Sequence, residues 1–143
     1  MQVYLKQVKG ITMAAKGNSN HWVMMDSEEA FGGSKAAATP MEMVLIALGG
    51  CTSMDVISIT NKMRVNLDCF EVIISADRAT EHPKVFTNIQ IDYYFFGDNI
   101  KEVDIKRAVD LSQEKYCSVS AMLKSSVQLT YAYHINQALP ATM

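Results

Sequence analysis

The sequence is short of most features that assign a chemistry by composition. It holds three cysteines, Cys51, Cys69 and Cys117. An odd, sparse set is no disulfide framework and fits reduced thiols in a cytoplasmic protein. Its three histidines, His21, His82 and His134, are scattered, so neither a metal site nor a Cys-His nucleophile pair has support. His21, before Trp22 and near a long loop, is the one histidine weighed for a site role; His82 is most simply a turn residue before Pro83. No phosphate-binding glycine loop or dinucleotide fingerprint occurs, and no cofactor is implied. Basic residues are few enough to leave a net charge of -2 with no basic stripe, which excludes a broad nucleic-acid surface. Met1 to Val8 alternates like a strand and lacks the apolar core and small-residue cleavage site of a signal peptide. Between Glu42 and Asp55 the chain is uncharged for about a dozen residues, whereas a membrane span needs about 20. A soluble, cytoplasmic protein is expected, without nucleic acid or membrane as partner.

What is present is enough for one domain. At 143 residues with 49% hydrophobic content, the chain can bury roughly 70% of the surface it would expose unfolded. Residues 1–38 hold three short apolar segments, Val3–Leu5, Ile11–Ala15 and His21–Met25, separated by turn chemistry and read as an antiparallel meander. A loop from Asp26 to Ala38 follows. Thr39-Pro40-Met41-Glu42 then combines three helix-start devices: Thr39 as cap, Pro40 at the first helical position and Glu42 closing a capping box. The expected helix spans residues 39–64 and is buried. Residues 65–136 continue with two long alternating strands, a second amphipathic helix after Gly97-Asp98-Asn99, a short helical piece capped by Ser118, and a final strand from Val127. Residues 137–143 form a tail. Hairpins rather than βαβ crossovers predict an α+β domain in which helices cover a mainly antiparallel sheet.

Three cysteines then compete for a chemical role. Cys51 shares a helix face with Val44, Ala47, Leu48, Met54, Asp55 and Ser58. Apolar burial and a carboxylate one turn away both disfavour a thiolate, so taken alone it reads equally as an inert core cysteine. Two features point the other way. Gly49-Gly50 inside a helix costs about 1 kcal/mol per glycine relative to alanine, which calls for a kink or a close approach of backbone or ligand. Cys117 sits between two helical segments, where amide groups can stabilise a thiolate. Cys69 lies on a strand and reads as structural. Glu42 is accounted for by the capping box and, at ~1.5 Å per residue, stands ~13 Å before Cys51 on the opposite side of the helix. It acts on that thiol only if the helix breaks or a partner subunit brings it there. Asp55 orients Ser58 or a basic group, or is a solvated helix carboxylate. The ten methionines read as adaptable core packing.

The run Thr39-Pro40-Met41-Glu42-Met43-Val44-Leu45-Ile46-Ala47-Leu48-Gly49-Gly50-Cys51-Thr52-Ser53-Met54-Asp55-Val56, with the later Glu114-Lys115-Tyr116-Cys117-Ser118-Val119-Ser120, resembles the OsmC/Ohr family of thiol-dependent peroxidases, its YhfA-like branch most closely. The resemblance covers nearly the whole chain. It implies antiparallel sheets packed around a long central helix in an intertwined homodimer, with active sites at the subunit interface. Cys51 would attack a small organic hydroperoxide and become a sulfenic acid, Cys117 would resolve it as a disulfide, and an external dithiol would reduce that disulfide. Glu42 would join them as the family glutamate, one position further from the proline than in the peroxide-reducing branch. That branch also uses an arginine, and here none precedes Arg64; Lys9, Lys16, Lys35, Arg64 and Arg78 are the cations on offer. The competing expectation is a binding dimer that holds a small hydrophobic molecule near Cys51 without turnover.

Overall fold

A computed structural model describes residues 1–141, which form two compact units, Met1–Ile46 and the described residues from Ala47 onward. In the first unit, β1 (Tyr4–Lys9), β2 (Thr12–Lys16) and β3 (Trp22–Met25) form an antiparallel sheet in the order β1-β2-β3. This is the expected meander. The turn at Gly10 adopts a positive φ of 56°, a conformation that costs glycine little.

The long loop that follows is held by Asp26. Its Oδ2 accepts hydrogen bonds from Ser34 N–H at 3.1 Å, Ser34 Oγ at 2.7 Å and Ala36 N–H at 3.0 Å. These bonds, that from Ala36 first, hold its carboxyl well below the usual carboxylate range. A short 3-10 turn, Glu29–Phe31, lies inside the loop.

Helix α1 (Pro40–Lys62) begins as the capping box predicts. Thr39 N–H donates to Glu42 Oε2 at 2.6 Å, and Glu42 N–H donates to Thr39 Oγ1 at 3.3 Å. The helix ends just before Arg64, whose φ is 59°. By length and composition alone α1 could cross a membrane, but one face packs as a core helix does. Leu48, Thr52, Val56 and Thr60, spaced four apart, are buried. Within one chain the expected burial is seen on that face only, and Ile46, Met54 and Ile57 stay exposed.

In the second unit β4 (Cys69–Arg78) pairs antiparallel with β5 (Phe86–Phe96), the expected two long strands. Strand β5 is the centre of this sheet and supplies the core residues Ile89, Ile91, Tyr93 and Phe95, all with no exposed surface. Helix α2 (Glu102–Leu111) buries Ile105, Ala108 and Val109, continues as a π turn over Ser112–Tyr116, and is followed by α3 (Ser118–Leu123). The last strand, β6 (Gln128–Ile135), runs parallel to β5. The class is α+β as expected, but here a crossover replaces a hairpin. The helices between β5 and β6 carry the chain back to the end from which β5 starts, so the next strand enters in the same direction.

Candidate active site

The thiols meet through local structure on each side. Cys51 and Asp55 stand one turn apart on α1, an i, i+4 pair on one face. Cys117 ends the π turn and starts α3. The wider turn follows from Cys117 N–H donating to Ser112 O at 2.8 Å, five residues back. Together these elements bring Cys51 Sγ, Cys117 Sγ and an Asp55 carboxylate oxygen within 4.8 Å of one another. Cys117 is buried, with 2% of its surface exposed, while Cys51 and Asp55 are half-buried.

Cys117, not Ser118, caps α3. Its sulfur accepts a hydrogen bond from Ser120 N–H at 3.4 Å. Burial nevertheless pushes the Cys117 pKa up, the Ser120 hydrogen bonds opposing and the neighbouring Cys51 adding to the rise. Cys117 is therefore a protonated thiol at neutral pH.

Beneath the thiols lies a buried polar cluster that sequence reasoning missed. Thr52, the residue after Cys51, bonds through its hydroxyl to Tyr93 OH and, at 2.9 Å, to Ser112 Oγ. Gln113 Nε2 donates to Thr52 Oγ1 at 2.9 Å and to Tyr93 OH at 2.7 Å. Burial raises Tyr93 to about 12, so it acts as a neutral hydroxyl. Lys124 Nζ donates to Gln113 O at 2.7 Å, holding the π turn from the far side of α3. Ser112 Oγ also lies 3.3 Å from Asp55 Oδ2. One cluster thus joins α1, β5 and the π turn, and fixes Thr52 next to Cys51 and Ser112, whose carbonyl accepts from Cys117 N–H. Its sequence signal was weak: Thr52 is a polar residue on the apolar face of α1, and Ser112 one on the core face of α2.

The other candidates fall elsewhere. Cys69 is exposed on β4, its thiol 3.5 Å from Glu71 Oε1. Desolvation and the Glu71 carboxylate raise its pKa. Glu42 is engaged in the capping box, and its bonds from Thr39 lower its pKa. His21 lines a cavity of about 250 Å³ with Val3, Ala15, Lys16, Val23 and Met43. His134 Nε2 pairs with Asp92 Oδ1 at 2.9 Å, and His82 lies in the β4–β5 turn. Of the cations on offer, Lys35 pairs with Glu28 at 2.8 Å, Lys16 bonds Asn20 at 2.8 Å and Arg78 bonds Lys84 O at 2.9 Å. Among the described residues no salt bridge reaches Asp55.

The two-sheet α+β fold thus sets two cysteines close together, one on a long helix and one at a helix cap. The chain belongs to the OsmC-like family: the family model described as "OsmC-like protein" matches residues 32–132. It is 42% identical over 135 residues to Protein YhfA of Escherichia coli strain K12, covering 94% of this chain and 98% of the relative. A crystal structure of a hypothetical protein from Aquifex aeolicus superimposes with a TM-score of 0.79 at 29% identity, over 95% of this chain and 97% of the other. An organic hydroperoxide resistance protein OsmC from Legionella pneumophila shares the fold at a TM-score of 0.68 and 12% identity, over 93% and 96% of the two chains.

Proposed function

We propose that this protein reduces small organic hydroperoxides with its two cysteines, as a cytoplasmic homodimer. The observation that carries the reading is the approach of Cys51 Sγ to Cys117 Sγ, within 4.8 Å across two elements. Membership of a family that includes organic hydroperoxide resistance proteins supports the general chemistry.

The half-buried Cys51 is the attacking thiol and the buried Cys117 the resolver. The Cys51 thiolate attacks one peroxide oxygen; the O–O bond breaks, the alkoxide leaves as alcohol with a proton, and Cys51 becomes a sulfenic acid. The Cys117 sulfur then displaces hydroxide from Cys51, releasing water as the Cys51–Cys117 disulfide forms. An external dithiol returns two electrons and two protons by thiol–disulfide exchange. A protonated Cys117 suits the second role, since it does not compete for peroxide.

The exposed face of α1 supports the dimer. Ile46, Met54 and Ile57 form an apolar stripe there. A Cβ on Gly49 would press against Ile74 Cδ1 at 3.3 Å, whereas one on Gly50 would meet nothing within 4 Å. The chain itself thus explains Gly49; a second copy approaching α1 closely explains Gly50. That copy would also have to bring in Glu42 if it is to act at Cys51, because α1 runs unbroken from Pro40.

One equivalent of an organic hydroperoxide added to reduced protein should produce the Cys51–Cys117 disulfide, read by mass spectrometry. Cys117→Ser should instead accumulate a trappable Cys51 sulfenic acid. Finding both thiols free after prolonged exposure would sink the reading.

A further inference from the structure

The peroxide reading uses the two thiols and leaves Asp55 without a part. Its carboxylate stands beside two thiols, and among the described residues no salt bridge reaches it. One kind of ligand turns this arrangement to advantage.

We propose that in the reduced protein Cys51, Asp55 and Cys117 bind a thiophilic divalent cation, zinc being the ion that fits their donors. Two sulfurs and one carboxylate oxygen make a three-ligand set of the type that holds zinc with a fourth position left for water. Calcium and magnesium, which take oxygen donors, are excluded by the sulfurs. With zinc bonds of about 2.3 Å to sulfur and about 2.0–2.2 Å to oxygen, the donors of a tetrahedral site stand roughly 3.5–3.8 Å apart. The three atoms already lie within 4.8 Å of one another, so closure on the ion takes movements of about 1 Å, within the reach of side-chain rotation.

Their supports are those of a metal site. Ser112 Oγ, 3.3 Å from Asp55 Oδ2, orients the carboxylate from outside the donor set. Ser112 is itself held by Thr52 at 2.9 Å. Ser120 N–H donates to Cys117 Sγ at 3.4 Å, an interaction that favours the thiolate a metal requires. Cys51 and Asp55 are only half-buried, which gives the ion and its water a way in.

The exchange moves no electrons. Zinc replaces the two thiol protons, which leave to solvent, while the carboxylate binds as it stands. A Cys51–Cys117 disulfide abolishes two of the three donors, so the site exists only in the reduced protein. Zinc binding itself does not depend on peroxide turnover.

The test uses full-length, metal-free, reduced protein titrated with zinc against a chromophoric chelator, with cobalt as the spectroscopic probe. One zinc per chain is expected, with sulfur-to-cobalt charge transfer and the visible bands of tetrahedral cobalt. Cys51→Ser and Cys117→Ser should each lose the charge-transfer band of one thiolate and bind at least tenfold more weakly. Asp55→Asn, nearly isosteric, should weaken zinc at least tenfold with its circular dichroism unchanged. Cys69→Ser should bind as the parent does. Reduced protein that leaves the chelator fully loaded overturns the proposal, as does a zinc affinity unchanged in Asp55→Asn or lost in Cys69→Ser. A parallel hydroperoxide assay separates the two readings: zinc binding without disulfide formation removes only the peroxidase, and the reverse removes only the metal site.

Discussion

The two three-stranded sheets are built on different terms. In the C-terminal sheet the central strand β5 is buried at Ile89, Ile91, Tyr93 and Phe95. Its one deep polar group, the Tyr93 hydroxyl, is paired with Thr52 and Gln113. In the N-terminal sheet β1 is exposed along its whole length, and Trp22, Val23 and Met24 of β3 are between 40% and 49% exposed. The first sheet carries stability within its own unit; the second presents apolar surface that is left for another surface to cover. The thiols lie beside the buried hydrogen bonds that join Thr52, Ser112 and Gln113 to the C-terminal sheet through Tyr93.

The largest effect should come from emptying the buried sheet. Phe95 packs its ring against Phe70 at 4.9 Å between centroids, and Phe95→Ala should destabilise the protein by about 3–5 kcal/mol. Urea denaturation followed by fluorescence measures this. A loss under 1 kcal/mol would mean that β5 does not organise the core.

Breaking the polar cluster should cost less stability but more chemistry. Gln113→Leu deprives Thr52 and Tyr93 of a donor, at about 1–3 kcal/mol. It should also slow closure of the Cys51–Cys117 disulfide while leaving the first oxidation of Cys51 unchanged, because the π turn that aims Cys117 is loosened. Rapid-quench mass spectrometry separates the two steps, and equal slowing of both would deny Gln113 a positioning role. At the start of α1, Thr39→Ala removes one half of the capping box and should cost about 1 kcal/mol.

How much of this could be read from the chain follows from the range of each interaction. The capping box at Thr39 and Glu42 closes over three residues and was legible, as was the strand alternation of β4 and β5; the proximity of Cys51 and Cys117, within 4.8 Å, was to be expected only through family resemblance. The cap of α3 was misplaced by one residue, because serine is the usual capping side chain and a cysteine sulfur is an unusual one. The cluster was illegible for a different reason. Thr52 meets Tyr93 across 41 positions, Ser112 across 60 and Gln113 across 61, and periodicity carries no information at such separations. The parallel entry of β6 likewise depends on where α2 and α3 leave the chain.

A pH dependence belongs to the loop of the first unit. Hydrogen bonds from Ala36, then Ser34, depress the Asp26 pKa below its unfolded value. Stability from Asp26 is therefore fully present above the unfolded pKa of about 3.9 and is lost as pH falls through the lower folded value. Urea midpoints measured downward from pH 5 should fall less steeply in Asp26→Asn than in the parent. Identical slopes would remove Asp26 as the anchor of the loop.

The smallest effect on folding should come from the sheet with the most exposed apolar surface, and that is what makes it informative. Trp22 is flanked by Lys6 and Lys16, their ammonium groups 5.0 and 5.1 Å from its ring, and meets Tyr4 edge-on at 6.2 Å. Within one chain Trp22→Ala gives up little buried area, so at low concentration it should change stability by about 0.5 kcal/mol or less. If the exposed sheet contributes to the proposed dimer, the same substitution should weaken self-association, lowering the sedimentation coefficient at intermediate concentrations and reducing the rise of Tm with protein concentration. A substitution silent in the monomer and visible in assembly would assign the exposed sheet to the interface; one silent in both would leave the dimer to the apolar stripe of α1.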